Sequence, residues 1–384
     1  MRFADNRNKI GKYIPAVVFL IFIYGMALWF IFSPKPDYSS SEKRYLQKFP
    51  EVTAEKLLSG DFGSEFETFF ADRFPQRNTW VGLNAYTALA EGNNGASGVY
   101  NCKNGYLINK PVSTENNLDK NIGAVADFAK SIDTPTTVML VPSTGYIVDD
   151  VLPTFHDKYN DDEDISKISS TLSKDKIGFV DLRERFKSEY KNGSQLYYKT
   201  DHHWTTKGAY TGYQELCKAL GITPIDDSTL KKDSYPDFYG TTYSSSGFWL
   251  TPPDNIEIWN NPKNSDRNIS VKITEGANIK TSGSMYFTDH LKEDDKYPVF
   301  IDGNHALTEI TNTNAKNGTI LLIKDSFSHS LAPFLAENYS KVVLVDLRYY
   351  KESVSDLVTT YNPEQVVVLY GIDNLATEIG RAHV

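Results

Sequence analysis

Cysteine is nearly absent from this sequence. It occurs only twice, at Cys102 and Cys217. These residues could form one disulfide in an oxidising compartment, but two cysteines are too few for a disulfide framework. Neither lies in a C-x-x-C motif or at a zinc-type spacing from histidine. We therefore predict no cofactor, and the sequence leaves open whether the two cysteines pair.

The sequence also lacks an excess of positive charge. It has 40 Lys and Arg residues against 49 Asp and Glu residues, a formal net charge of −9. Nucleic-acid-binding proteins neutralise phosphates with a basic surface, so this balance argues against a nucleic-acid partner. The acidic run at residues 157–164 lacks the Asp-x-Asp-x-Asp-Gly spacing and terminal glutamate of a calcium loop. We predict a solvated loop there.

Charged residues are missing altogether from residues 13–32. An apolar run of this length can cross a bilayer as a helix. Basic residues precede it, and such flanks stay on the cytoplasmic side. A cleaved signal peptide is the alternative, but the run is long for one and no Ala-x-Ala-like site follows. We predict a single-pass anchor in the cell membrane, with residues 1–12 in the cytoplasm and the domain behind it outside.

The rest of the chain divides by its patterns. Residues 33–95 begin with proline, serine and charge, then turn helical, and we predict a stalk followed by a helical segment. Over residues 96–378, short apolar runs alternate with amphipathic helices, which predicts an α/β fold with a parallel sheet flanked by helices. Residues 222–318 interrupt this alternation and predict a β-rich insertion. Residues 379–384 match a common sequencing-adapter translation, and we treat them as an artefact.

Aromatic residues are frequent in the first half of this insertion. They are Phe238, Tyr239, Tyr243, Phe248, Trp249 and Trp259. Aromatic faces beside polar groups can bind sugar rings. Packing in the core of the insertion is the other interpretation.

The most informative motif is Asp201, His202, His203 and Trp204. Residues i and i+2 share one side of an extended chain, so Asp201 can orient His203 only if the motif is not helical. A helix is predicted to follow the motif, with Thr205 or Thr206 as its N-cap and Gly221 as its stop. A carboxylate that orients an imidazole is half of a nucleophilic site. Metal binding is the alternative, but adjacent histidines rarely point at one ion, and we predict no metal.

A nucleophile for this pair is predicted at Ser326. An apolar run typical of a buried parallel strand ends just before it, and a helix follows it. Such a strand, turn and helix would place the Ser326 hydroxyl at the carboxyl edge of the sheet and its backbone N–H at a helix N-terminus, which favours an oxyanion. Ser328 and Ser330 are predicted to cap the helix or face solvent instead.

Further residues are candidates for contacting the oxyanion or the substrate: Gly303, Asn304, Trp204, His202 and Tyr370. A glycine N–H and an asparagine amide often complete an oxyanion hole, although a tight turn explains Gly303 and Asn304 equally well. Trp204 is expected to form a wall of the site. His202 is expected to pack or to make a hydrogen bond.

These motifs resemble those of the DHHW proteins, which are similar to the SGNH-like domains of bacterial alginate O-acetyltransferases. The matching stretches are residues 74–77, 103–108, 141–142, 200–209, 303–305, 324–327 and 345–349. The resemblance implies an SGNH-hydrolase-like, flavodoxin-like sheet with a catalytic Ser326, His203 and Asp201. It also implies acetyl transfer on a cell-surface polysaccharide beside a multi-pass membrane acyltransferase. Lys324 departs from related transferases, which often carry glycine two residues before the serine.

Three functions therefore remain open. The first is an extracytoplasmic O-acyltransferase that acts on a cell-surface or exported polysaccharide. The second is a carbohydrate esterase that removes the acyl group with the same three residues. The third is a non-catalytic glycan-binding subunit. The sequence does not separate transfer from hydrolysis, because the two differ mainly in whether water reaches the acyl-enzyme.

Overall fold

The computed structural model describes residues 2–112 and 117–377, with side chains described from residue 13 onward. The predicted artefact at residues 379–384 lies outside these residues, as do the side chains of the predicted cytoplasmic segment. The described chain forms two compact units that divide between Asn84 and Ala85.

The first unit contains the candidate membrane helix. Its elements are α1 (Arg2–Phe32), β1 (Tyr38–Ser39), β2 (Arg44–Tyr45), α2 (Ala54–Ser59), α3 (Asp61–Asp72) and the first part of α4 (Arg77–Ala90). Within α1, Tyr13–Phe32 has 20 residues and a mean hydropathy of 2.4, and so is long and apolar enough to span a membrane. The predicted helical segment is interrupted between α2 and α3, because Gly60 adopts a left-handed conformation there, with φ 85°.

The second unit contains the predicted alternation of strands and helices. Its strands are β3 (Gly95–Ala96), β4 (Val99–Asn101), β5 (Leu107–Asn109), β6 (Thr136–Val141), β7 (Gly178–Asp181), β8 (Lys231–Phe238), β9 (Asp254–Asn260), β10 (Ile269–Glu275), β11 (Asn278–Ser282), β12 (Leu307–Asn312), β13 (Asn317–Lys324), β14 (Tyr339–Val345) and β15 (Gln365–Gly371). Its helices are α5 (Asn117–Ser131), α6 (Thr144–Ile147), α7 (Asp161–Lys174), α8 (Arg183–Lys191), α9 (Thr206–Leu220), α10 (Thr241–Ser246), α11 (Ser328–Leu335), α12 (Val354–Tyr361) and α13 (Ile372–Thr377). This unit begins at Ala85 because Ala85 is buried with Val99, Leu107 and Phe248.

A mixed sheet forms the centre of the second unit. Its eight strands have the order β11-β10-β12-β14-β13-β15-β6-β7. From β14 to β7 all neighbours are parallel, as the sequence predicts. The inner strands carry apolar side chains on both faces, and residues such as Leu321, Leu322, Val343 and Val367 have no exposed surface. Helices cover these faces, so the fold is the predicted α/β sheet flanked by helices.

The insertion is partly built into this sheet. Strands β10, β11 and β12 join it as an antiparallel edge next to β14. The reason is an alternation along β10, where Ile269, Val271 and Ile273 are buried in the main core. Strands β8 and β9 form a separate hairpin. Phe238, with no exposed surface, and Trp259, 5% exposed, pack in the same core and are therefore unavailable as a sugar platform.

The acidic run is not wholly a solvated loop: Asp161 begins α7, is 3% exposed, and accepts a 2.7 Å hydrogen bond from the N–H of Ser143. That bond satisfies the backbone just beyond β6, which explains why a carboxylate is buried there.

Cys102 and Cys217 are both buried and free, and so do not pair.

Candidate active site

The Asp-His-His-Trp motif lies in a non-helical turn, as predicted. Asp254 at the start of β9 holds this turn. Its carboxylate accepts two hydrogen bonds from Thr200, one from the backbone N–H at 2.8 Å and one from the side-chain hydroxyl at 2.7 Å. Helix α9 follows, capped by Thr205, whose hydroxyl accepts from the Gly208 N–H. A side chain at Gly208 would meet the carbonyl oxygen of Leu196 at 2.2 Å. Glycine therefore allows the helix to pack closely against the turn.

Asp201, His203 and Ser326 form a continuous chain of hydrogen bonds. The Nδ1 of His203 lies 2.5 Å from Asp201 Oδ1, and its Nε2 lies 2.7 Å from the hydroxyl oxygen of Ser326. Asp201 Oδ1 also accepts from the His203 N–H at 2.9 Å, which fixes the ring relative to the carboxylate. All three side chains are buried, at 2%, 4% and 7% exposure for Asp201, His203 and Ser326. Residues separated by more than 120 positions thus meet at one edge of the sheet.

A threonine from the insertion completes the environment of Asp201. The second carboxylate oxygen accepts from the Thr241 N–H at 2.7 Å and its hydroxyl at 3.1 Å. Burial alone would raise the pKa of Asp201, but the charge of His203, the charge that His202 carries at low pH, and the hydrogen bonds from His203 and Thr241 hold this pKa well below its usual value. Asp201 is therefore ionised and able to stabilise a protonated His203. No local pattern in the sequence points to Thr241 as a partner of Asp201.

The turn that carries Ser326 is held by Asp325. This residue is fully buried, and its carboxylate accepts from the N–H groups of Phe327 at 2.9 Å and Gly371 at 2.7 Å and from the Asn374 amide at 2.8 Å. These bonds tie the end of β13 to the end of β15. Among the described residues, none accepts a hydrogen bond from the N–H of Ser326. That donor is therefore available at the start of α11.

Asn304, but not Gly303, has a free donor. The N–H of Gly303 donates to the Phe300 carbonyl at 3.1 Å, as expected for the tight-turn interpretation. Asn304 Oδ1 accepts from Arg348 at 2.9 Å. Since a guanidinium can only donate, the amide NH₂ of Asn304 must face away from Arg348, and it has no partner among the described residues. Arg348 is a residue of this site that the sequence analysis missed.

The other candidates occupy different positions. Trp204 has no exposed surface and lies beneath the start of α11, where its indole N–H donates to Ser330 Oγ at 2.9 Å, so it is not a wall of the cavity. Ser328 and Ser330 are buried rather than facing solvent. His202 bonds to Thr241 Oγ1 at 2.8 Å. Tyr370 is 2% exposed and packs in the core cluster around Leu118 and Leu375.

A cavity of about 370 Å³ opens above Ser326. Its lining residues are Asn109, Asp201, His202, His203, Thr241, Asp295, Tyr297, Pro298, Gly303, Asn304, Ser326, His329, Arg348 and Asn374. Most of these residues carry polar or charged side chains. Such a cavity suits a hydroxyl-rich ligand better than a long acyl chain.

Metal ligation is also testable against this geometry. Ligand atoms of Asp201, His202 and His203 lie within 4.8 Å of one another. Both ring nitrogens of His203, however, already contact Asp201 and Ser326, and both carboxylate oxygens of Asp201 accept hydrogen bonds. A metal would have to break these contacts, so Asp201 and His203 fit a proton-transfer role better than metal ligation.

The fold and the site together define the class of protein. A serine, a histidine and an aspartate meet at the carboxyl edge of an open α/β sheet, where such folds bind their ligands. The DHHW protein family matches residues 112–345, and the chain belongs to this family.

Two solved structures with TM-scores of 0.60 and above share this fold. A DHHW family protein from Eubacterium siraeum DSM 15702 aligns with a TM-score of 0.62 at 18% identity, over 74% of this chain and 93% of that one. Bacillus cereus PatB1, solved with a sulfonyl adduct, aligns with a TM-score of 0.60 at 20% identity, over 74% of this chain and 97% of that one. The O-acetyltransferase domain of Pseudomonas putida AlgJ aligns with a TM-score of 0.47 at 14% identity, over 73% of this chain and 93% of that one. No curated protein sequence matches the chain.

Proposed function

We propose that this protein is an O-acyltransferase that moves acyl groups, most simply acetyl, onto hydroxyl groups of a cell-surface or exported polysaccharide. The observation that carries the proposal is the continuous hydrogen-bonded chain from Asp201 through His203 to the Ser326 hydroxyl. Such a chain lets the imidazole take the serine proton at the moment of attack. These three residues are sufficient for acyl transfer through an ester on Ser326.

In the first half of the reaction, Ser326 Oγ attacks the carbonyl carbon of the acyl donor while its proton moves to His203 Nε2. The carbonyl oxygen becomes an oxyanion, and Asp201 stabilises the imidazolium through Nδ1. The N–H of Ser326 and the Asn304 amide are the donors available to the oxyanion. Collapse of the intermediate breaks the bond to the leaving group, which takes the proton from His203, and leaves an ester on Ser326.

In the second half of the reaction, a hydroxyl group of the sugar acceptor is the nucleophile. It gives its proton to His203 and attacks the Ser326 ester, and the proton then returns to Ser326 Oγ. The polar cavity above Ser326 supports an acceptor rich in hydroxyl groups. The same steps with water would give the alternative esterase.

The apolar helix supports transfer at a membrane. Tyr13–Phe32 would anchor the chain with its N-terminus in the cytoplasm and the Ser326 site outside. We propose that a multi-pass membrane acyltransferase supplies the acyl group there. Such a partner would bring an activated donor across the bilayer to a soluble site.

Covalent labelling tests the central residue. We expect a sulfonyl fluoride to add to Ser326, detected by intact mass and peptide mapping, with loss of the adduct in Ser326→Ala but not in Ser328→Ala. After acetylation by an activated ester, a panel of deacetylated oligosaccharides should accept the acetyl group in competition with water. An adduct at another residue contradicts the proposal. Release of acetate alone with every acceptor would indicate the esterase.

A further inference from the structure

A buried lysine lies two residues before Ser326. Lys324 ends β13 with only 1% of its surface exposed. Its ammonium group lies 3.0 Å from Asp346 Oδ2 and 2.8 Å from His329 Nε2. A buried ion pair stabilises a fold no better than well-packed apolar side chains would, so this pair calls for a role other than stability.

Asp346 joins this lysine to an arginine at the cavity. It follows β14 directly and has no exposed surface. Besides Lys324, it accepts from Arg348 at Nε, 2.9 Å from Oδ1, and at Nη2, 2.7 Å from Oδ2. Two hydrogen bonds from one guanidinium to one carboxylate fix the plane of the arginine head group. Lys324 in turn holds the Asp346 carboxylate in place through its own hydrogen bond.

The fixed guanidinium in turn orients Asn304. Arg348 Nη2 donates to Asn304 Oδ1 at 2.9 Å, and both side chains line the cavity that contains Ser326. With its oxygen engaged, the asparagine can present only its N–H groups to a ligand.

We infer that Lys324, Asp346 and Arg348 form a positioning relay that holds the Asn304 amide toward the oxyanion formed when Ser326 attacks. The inference rests on the proposed function. The relay transfers no atoms itself: the new bond joins Ser326 Oγ to the carbonyl carbon, the carbonyl electron pair moves onto oxygen, and the serine proton moves to His203. The relay decides only which end of Asn304 meets that oxygen.

A double-mutant cycle on the full-length protein tests the relay. The rate of Ser326 acylation is measured with p-nitrophenyl acetate, together with KM and the melting temperature. Asn304→Ala should lower the acylation rate by about 100-fold or more, because it removes one oxyanion donor. Arg348→Gln should lower it by roughly tenfold with little change in KM. In the Asn304→Ala background, Arg348→Gln should cost almost nothing more, since its effect passes through Asn304.

The controls separate positioning from folding. Arg185→Gln removes a half-exposed arginine that pairs with Glu189 on α8, and it should leave acylation unchanged. Lys324→Met should repeat the pattern of Arg348→Gln, and if this variant fails to fold, the Arg348 cycle still decides. Multiplying losses in the double variant, or a wild-type rate in Arg348→Gln, would overturn the relay alone. Failure of a sulfonyl fluoride to label Ser326 in the wild-type protein would overturn the proposed function and the relay together.

Discussion

Tyr297 lies flat against His203. The two ring centroids are 4.0 Å apart and the planes differ by 12°. The Tyr297 hydroxyl also donates to the Ser326 carbonyl at 3.2 Å. A residue of the insertion therefore contacts both the imidazole and the turn that carries the serine, which gives the insertion a role in holding the site together.

This contact predicts different effects for two substitutions. Tyr297→Leu removes the stacked ring and should lower kcat by roughly two- to tenfold, the range expected for an aromatic pair. Tyr297→Phe keeps the ring and should cost less. Steady-state kinetics with melting temperatures as a folding check would measure both. If Tyr297→Phe is as impaired as Tyr297→Leu, the hydroxyl contact matters and the stacking does not.

A second prediction concerns Asp201, His203 and Ser326 as one unit. His203→Ala should lose as much acylation as Ser326→Ala, and the double variant should be little worse than either, because residues of one catalytic unit are strongly non-additive. Asp201→Asn should also be severe, since the amide can hold the wrong tautomer of the ring. Acylation rates of all these variants, measured at the same donor concentration, would test whether the losses are non-additive.

His202 supplies the matched control for this series. Burial, and the charge of the neighbouring His203, lower the pKa of His202 to about 4, so its ring is neutral at working pH. His202→Gln keeps a neutral hydrogen-bonding side chain beside Thr241 and should cost far less than His203→Ala. Equal losses at the two histidines, with inhibition by a chelator, would favour a metal site over the proposed unit.

A third prediction uses Gly240, which approaches Asp201 closely. A Cβ at Gly240 would lie 2.1 Å from Asp201 Cβ and 2.3 Å from its Oδ2. Gly240→Ala must therefore displace Asp201 or the Thr241 backbone, and we expect a large loss of acylation with Ser326 still present. Gly123→Ala on α5 is the control, because nothing lies within 4 Å of its added Cβ and alanine favours the helix. Wild-type activity in Gly240→Ala would show that Asp201 need not be fixed.

The parts of the site that could be predicted from the sequence are those set by residues close together in the chain. The turn at Asp201 and His203, the cap at Thr205 and the strand before Ser326 all follow from residues a few positions apart. Thr241, Asp254 and Tyr297 escaped prediction, because each reaches the site from the insertion and no spacing links it to residues 201–204. The antiparallel edge was also missed, since the alternation along β10 does not say which sheet its apolar face will join.

A fourth prediction concerns topology. If Tyr13–Phe32 is an uncleaved anchor, a reporter that is active only outside the cytoplasm should work when fused after Leu375, and the protein should stay with membranes after a carbonate wash. Removing residues 1–35 should release a soluble protein that still takes up a sulfonyl label. Reporter activity in the cytoplasm contradicts the proposed orientation. A shortened, wash-released mature protein would instead indicate a signal peptide.

The last prediction concerns stability and pH. Burial, with repulsion from Asp161, raises the pKa of Asp373 to about 7, and burial raises the pKa of Asp161 to about 6. The folded state therefore holds protons that the unfolded state has already released, so these groups contribute stability at low pH that is lost as pH rises from about 4 to 7. Asp373→Asn mimics the protonated form and keeps the acceptor for the Ser143 hydroxyl. It should raise the melting temperature at pH 8 and change it little at pH 4.

The control for this measurement is Asp127→Asn, whose side chain is 84% exposed. Its effect on the melting temperature should be small and equal at the two pH values, because an exposed carboxylate loses little solvation on folding. Asp161→Asn is expected to change the melting temperature in the same direction as Asp373→Asn but by less, since Asp161 also accepts a hydrogen bond from the Ser143 N–H. If Asp373→Asn destabilises the protein more at pH 8 than at pH 4, Asp373 is ionised and paired in the folded state, and the assigned direction of its pKa is wrong.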